Sequence, residues 1–174
     1  MRFLMSIIEI FKAGGPVMFP LLFISIANLG LFLHLITNFL LIKRDLKRNN
    51  QNPSTIFGKE VVKIKAEAIP FEENWQKKVE PLLFHYERKS LWMNHLASLS
   101  TLLGLLGTVI GIYVAFGNMK TSGQASIEVF ADGIGQALIT TIYGLIIAIP
   151  SNFSYYILKH MLDEIEINAY IHHD

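Results

Sequence analysis

Three runs of this chain contain no Asp, Glu, Lys or Arg: Ala13 to Ile42, Ser90 to Met119, and Gly133 to Leu158. Each exceeds the roughly 20 residues that an α-helix needs to cross a hydrocarbon core, so each can span with a turn to spare. The pattern therefore predicts an all-α membrane protein with three transmembrane helices. A β-barrel would show short segments of alternating polarity, and these runs are continuous instead. Before the first run, Phe3, Leu4, Ile7, Ile8 and Phe11 recur at helical spacing with Arg2, Ser6, Glu9 and Lys12 between them. That alternation fits an amphipathic helix resting on a membrane surface, or equally one packed on protein. Glu9 and Lys12 interrupt any secretory-type apolar stretch, so the segment is expected to be retained.

Composition agrees with the patterning. Apolar residues make up 52% of the 174 and charged residues 17%, with a mean hydropathy of +0.40. The net charge of +1 gives no electrostatic reason to bind nucleic acid. Cysteine is absent, which removes disulfides and cysteine-based metal sites.

Orientation follows from the basic residues. The segment Lys43 to Lys89 holds 11 of the 15 Lys and Arg, whereas the link between the second and third runs holds only Lys120. The positive-inside rule puts the large loop in the cytoplasm, the N-terminus outside and the C-terminus inside. The expected organisation is an interfacial helix at 1–13, spans at 14–42, 92–117 and 133–158, and a cytoplasmic helical region at 43–91. An outer loop at 118–132 and a cytoplasmic tail at 159–174 complete it. Within the large loop, "RNNQNPST" reads as a turn or linker. The stretch from Phe71 onward reads as a helix running into the second span, interrupted only by Pro81. The second and third helices are thus expected to be long and to carry helical mass into the cytoplasm.

The second and third runs are not uniformly greasy. At about 100° per residue, Gly133, Gln136, Ala137, Thr140, Thr141, Gly144, Ala148 and Ser151 fall within one arc of about 140°. On the second run, Ala97, Ser100, Thr101, Gly104, Gly107, Thr108, Gly111 and Ala115 share an arc of about 120°. Gly104, Gly107, Gly111, Gly144 and Ala148 are suited to close helix packing, and Gly107 with Gly111 forms a GxxxG pair. A hydroxyl in such a stripe can bond back to its own helix. Two facing stripes that both carry hydroxyls favour a shared polar seam or pore wall. The first run has Asn28, His34, Thr37 and Asn38 but no comparable stripe, which points to a peripheral, lipid-facing span.

The two later motifs, "LSTLLGLLGTVIGIYVAF" and "GIGQALITTIYGLIIAIP", resemble the paired signature of the MotA/TolQ/ExbB proton-channel family, and "FKAGGPVMFPLLF" resembles the entry to its first span. The likeness is greatest to short ExbB-type proteins. The resemblance implies a homo-oligomeric ring, a pentamer, in the bacterial inner membrane, enclosing the helices of ExbD- or TolR-like subunits. Proton flow would drive the inner subunits against the ring and pass work to a TonB-like or other periplasm-spanning load. The family's channel-lining threonines map onto Thr108 and Thr141. Thr101, Gln136, Thr140 and Ser151 complete the candidate proton pathway. The departure is at Gln136: ExbB and TolQ proteins commonly have Glu in the "GI-x-E-AL" context, and Gln cannot exchange a proton near neutral pH.

No span carries an ionisable carboxylate, so a partner must supply one; in the family it is an Asp on the ExbD-like helix. No nucleophile elbow, phosphate loop or carboxylate pair suggests an enzyme, no cofactor is implied, and His172, His173 and Asp174 make an unconvincing metal site. Two alternatives remain at this point: a non-conducting membrane scaffold, and a sodium- or proton-driven stator of MotA or gliding type.

Overall fold

The computed structural model describes residue 9 and residues 11–47, 53–66, 75–122 and 127–171. The 1–8 part of the N-terminal segment, the Phe71–Asn74 start of the expected loop helix and the His172–Asp174 tail lie outside the described residues. All described regular structure is helical. Gly15 has φ +68°, a left-handed conformation that glycine adopts without the Cβ penalty, and with Pro16 it forms a short 3-10 turn, Gly15–Val17. From that turn α1 runs over Met18–Lys47. The shorter α2 occupies Ile56–Ala66. A π-helical turn, Trp75–Val79, leads into α3, Glu80–Ser122, and α4 covers Ile127–Ile171.

Pro81 lies directly after the π-helical turn Trp75–Val79, so its missing N–H falls where the helix passes from π to α geometry, and the helix continues through it. Pro150 lies inside α4, where it removes one intrahelical hydrogen bond, and the helix continues past it. At 43 and 45 residues, α3 and α4 are each about 65 Å long, more than twice a hydrocarbon core of about 30 Å. Much of the 118–132 link is helical, since α3 continues to Ser122 and α4 begins at Ile127.

The chain divides into two compact units, each drawing on α1, α3 and α4. Unit 1 comprises the chain up to Asn28 and His95–Asn152. Here small side chains face inward and large ones outward: Ala97, Ala115, Ala137 and Ala148 are buried, whereas Phe23 and Tyr113 are 74% and 78% exposed. That inversion suits lipid, which is as apolar as leucine and gives large side chains no reason to hide, while small ones let backbones approach. Helix α1 contributes the larger inward residues Met18, Leu21 and Ile24.

Unit 2, Leu29–Asn94 with Phe153–Asp174, is built the other way. Its core holds Leu35, Phe39 and Ile42 from α1, Phe57, Val61 and Ile64 from α2, Trp75 and Val79 from the π turn, and Leu158, Leu162 and Ile165 from α4. The three- and four-residue spacings put each set on one helix face. Phe39 meets Tyr86 edge to face at 5.6 Å between centroids. The described end of the segment read as a linker, Ser54 and Thr55, is tied down: the buried Asp45 carboxylate accepts hydrogen bonds from the Ser54 and Thr55 backbone N–H groups, both at 2.9 Å, and from both hydroxyls. The Thr55 hydroxyl oxygen in turn accepts from the Gly58 N–H at 3.1 Å, capping α2. Lys43 reaches both carboxylate oxygens of Glu164 at 2.7 and 2.8 Å.

Candidate functional site

Within unit 1, α3 and α4 run antiparallel, and their contacts repeat about once per turn. A Cβ added to Gly133 would collide with Ala115, one on Gly111 with Ala137, and one on Gly107 with the Thr140 side chain. One on Gly104 would lie 3.2 Å from the Cα atoms of both Thr141 and Gly144. One on Gly144 would lie 2.6 Å from the Ser100 carbonyl oxygen. Gly104, Gly107, Gly111 and Gly144 are therefore places where one backbone leaves room for the other, and Ala148 is 3% exposed on the same side of α4.

The hydroxyls divide into two groups. Thr140 and Thr141 belong to the seam: both are placed to donate to the Gly104 carbonyl oxygen, at 3.1 and 3.0 Å, and the single Thr140 hydroxyl proton is shared with its own Ala137 carbonyl at 2.7 Å. Adjacent residues on α4 thus converge on one acceptor on α3. Thr140 is 2% exposed, while Thr141 is half-buried. The second group turns away. Thr108 is half-buried and donates to Leu105 of its own helix at 2.6 Å, and exposed Thr101 donates to Ala97 at 3.3 Å. Gln136 is exposed. Each back-bonded hydroxyl still has lone pairs with which to accept a further hydrogen bond.

Ser151, at the far end of the α4 stripe, donates to Ile147 at 2.6 Å and accepts from the Asn28 side-chain amide of α1 at 2.8 Å. Asn28 is 4% exposed, and its Oδ1 has no hydrogen-bond partner among the described residues. The first span therefore supplies a buried polar contact. Counting polar residues on that span for a stripe overlooked it, because one Asn facing one Ser needs no periodicity. Further along α1, His34 is exposed and its carbonyl accepts from Thr37 at 3.0 Å and Asn38 at 2.7 Å.

Among the described residues, no group of three or more His, Cys, Asp or Glu is placed to hold a metal ion. The chemistry that the hydroxyls and Gln136 can perform is hydrogen bonding by neutral groups. They can orient a proton carrier; they cannot titrate near neutral pH.

Three long apolar helices and a hydroxyl-bearing seam define a multi-pass membrane protein. The model of the MotA/TolQ/ExbB proton channel family matches residues 48–169, and the chain belongs to that family. It is 38% identical over 98 residues to the biopolymer transport protein ExbB of Neisseria gonorrhoeae, covering 54% of this chain and 44% of that one. It is 42% identical over 72 residues to an ExbB-like biopolymer transport protein of Helicobacter pylori, covering 41% and 38%. Similarity extends to the Tol-Pal system protein TolQ of Haemophilus influenzae, 39% identical over 80 residues, covering 46% and 35%. The chain thus spans about two fifths of the length of the relatives it matches. The family and these relatives place it in a bacterial inner membrane.

Proposed function

We propose that this protein is the ring subunit of a proton-driven inner-membrane motor of ExbB/TolQ type. Copies of it, five by the family's pattern, would surround single-span ExbD- or TolR-like helices and pass work to a periplasm-spanning load. Its task would be mechanical coupling rather than catalysis. The observation that carries the reading is the pairing of charge-free spans with hydroxyls at Thr108 and Thr141 on neighbouring helices. A carboxylic acid on a partner helix needs groups that accept or donate a hydrogen bond and then let go. Thr and Gln do this, whereas a fixed Lys would trap the carboxylate. A field of 100 mV supplies about 2.3 kcal/mol per elementary charge moved, which sets the scale of work per proton.

In this arrangement the basic 43–89 region faces the cytoplasm, with the N-terminus and the 118–132 segment on the periplasmic side. Residues 80–91 of α3 and 159–171 of α4, with α2, would then belong to the cytoplasmic body. The direct test measures partner-dependent proton flux in vesicles containing the coexpressed subunits. Thr141→Val with unchanged assembly should reduce flux, and unchanged flux would remove Thr141 from the pathway.

A scaffold without conduction is the second reading, favoured by the burial of Thr140 and the glycine contacts, which pack the helices whether or not ions move. It predicts a stable complex with no partner-dependent flux. Replacing sodium at fixed pH gradient separates a proton motor from a sodium-driven stator.

A further inference from the structure

One end of unit 1 encloses a cavity of about 390 Å³ bounded by the Gly14–Val17 turn, by α3 between Gly107 and Asn118, and by α4 between Asp132 and Thr140. Three of its α4 lining residues, Asp132, Gln136 and Thr140, stand four residues apart. They therefore share one helix face and climb about 12 Å along it. Exposure falls along the climb: Asp132 and Gln136 are exposed, and Thr140 is 2% exposed with its hydroxyl on the Gly104 carbonyl. The cavity thus connects the open end of α4 to the hydroxyl seam.

Among the described residues lining this cavity, Asp132 is the sole ionisable one. The α3 wall presents apolar Ile110, Val114 and Ala115 together with neutral Asn118, and the Gly14–Val17 turn carries no titratable side chain. The other charged groups nearby in sequence stand outside the lining: Glu9 and Lys12 before the turn, Lys120 near the end of α3, and Glu128 one turn further out on α4, all exposed.

We infer that Asp132 is the proton-exchanging group at the mouth of this cavity, with Gln136 relaying between it and the Thr140–Thr141 seam. The inference rests on the proton-conducting reading above. An exposed carboxylate at the mouth can hydrogen-bond directly to water outside the cavity. The Gln136 amide donates and accepts at once, so it can bridge hydrogen-bonded water in both directions while keeping no proton of its own. The step is proton transfer alone: the carboxyl O–H gives its proton to water on the seam side, and the carboxylate takes another from the aqueous side.

The test uses the complex with its coexpressed ExbD-like subunit in phosphatidylethanolamine/phosphatidylglycerol vesicles, recording flux by an internal pH dye from about pH 4 to about pH 8. Asp132→Asn, with assembly checked by native mass, should lower flux several-fold and flatten its dependence on pH. Asp132→Glu should keep both. Asp132→Asn with Gln136→Glu should restore flux by moving the acid one turn inward, and Glu128→Gln should change nothing. If Asp132→Asn fails to assemble, Asp132→Ser replaces it in the same comparison. A conducting wild type whose flux and pH profile survive loss of the carboxylate overturns the inference and leaves the proton-channel reading standing. A reduced flux that neither glutamate variant supports assigns Asp132 a structural role and also overturns it. A wild-type complex without partner-dependent flux overturns both readings together.

Discussion

Gly104 of α3 and Gly144 of α4 meet backbone to backbone: a Cβ built on Gly144 would sit 3.0 Å from the Gly104 Cα and 2.6 Å from the Ser100 carbonyl oxygen. Neither obstacle is the end of a flexible side chain, so the helices themselves must part to admit a methyl group. Gly144→Ala should destabilise the protein in detergent by about 1–3 kcal/mol, the usual range for overpacking. Gly30→Ala, where nothing lies within 4 Å of the added carbon, should be neutral or slightly stabilising. Thermal unfolding followed by circular dichroism distinguishes them.

Thr140 and Thr108 look alike in sequence and differ in what they hold. Thr140→Val removes a bond between helices and should cost about 0.5–1.5 kcal/mol. Thr108→Val removes a bond within one helix and should cost less than about 0.5 kcal/mol. Because Thr140 and Thr141 share the Gly104 acceptor, the double valine variant should lose more than the two single losses added together. Unfolding measured on all four proteins closes the cycle.

The Asn28–Ser151 contact gives an asymmetric prediction. Ser151→Ala leaves the buried Asn28 amide without its acceptor and should cost about 1–2 kcal/mol. Asn28→Leu removes the amide together with its unpartnered Oδ1, so it should be close to neutral. Equal losses in the two variants would contradict this account.

Asp45 should matter far more than the ion pair nearby. Asp45→Ala deprives two backbone N–H groups and two hydroxyls of their acceptor and should cost about 2–3 kcal/mol. Hydrogen exchange at Ser54 to Lys59 should accelerate before that of α3. Lys43→Met, at a pair whose side chains are 48% and 40% exposed, should leave stability nearly unchanged.

The spans were legible because membrane hydrocarbon forbids charge, and a run without charge is visible without any knowledge of packing. The small residues were legible for a related reason: Gly104, Gly107, Gly111 and Gly144 repeat at helical spacing. What spacing could not resolve was which part of a wide arc meets the neighbouring helix. Thr140 and Thr108 sit on similar stripes, yet one is enclosed by the partner helix and the other is half-exposed. The Asp45 clamp was hidden because a carboxylate nine residues from its acceptor-seeking turn has no local signature, although Thr55 before an apolar helix is a recognisable cap. Asp132 could have been found by stepping back one turn from Gln136, but only the cavity gives that step a meaning.

The Gly104–Gly144 contact also bears on compliance. Side chains between helices act as springs, since their rotamers let two cylinders slide or separate by small amounts. Where carbonyl, Cα and threonine hydroxyl touch directly, that slack is gone. The α3–α4 pair should then respond to a sideways load as one stiff plate, carrying force along its length instead of dissipating it at the joint.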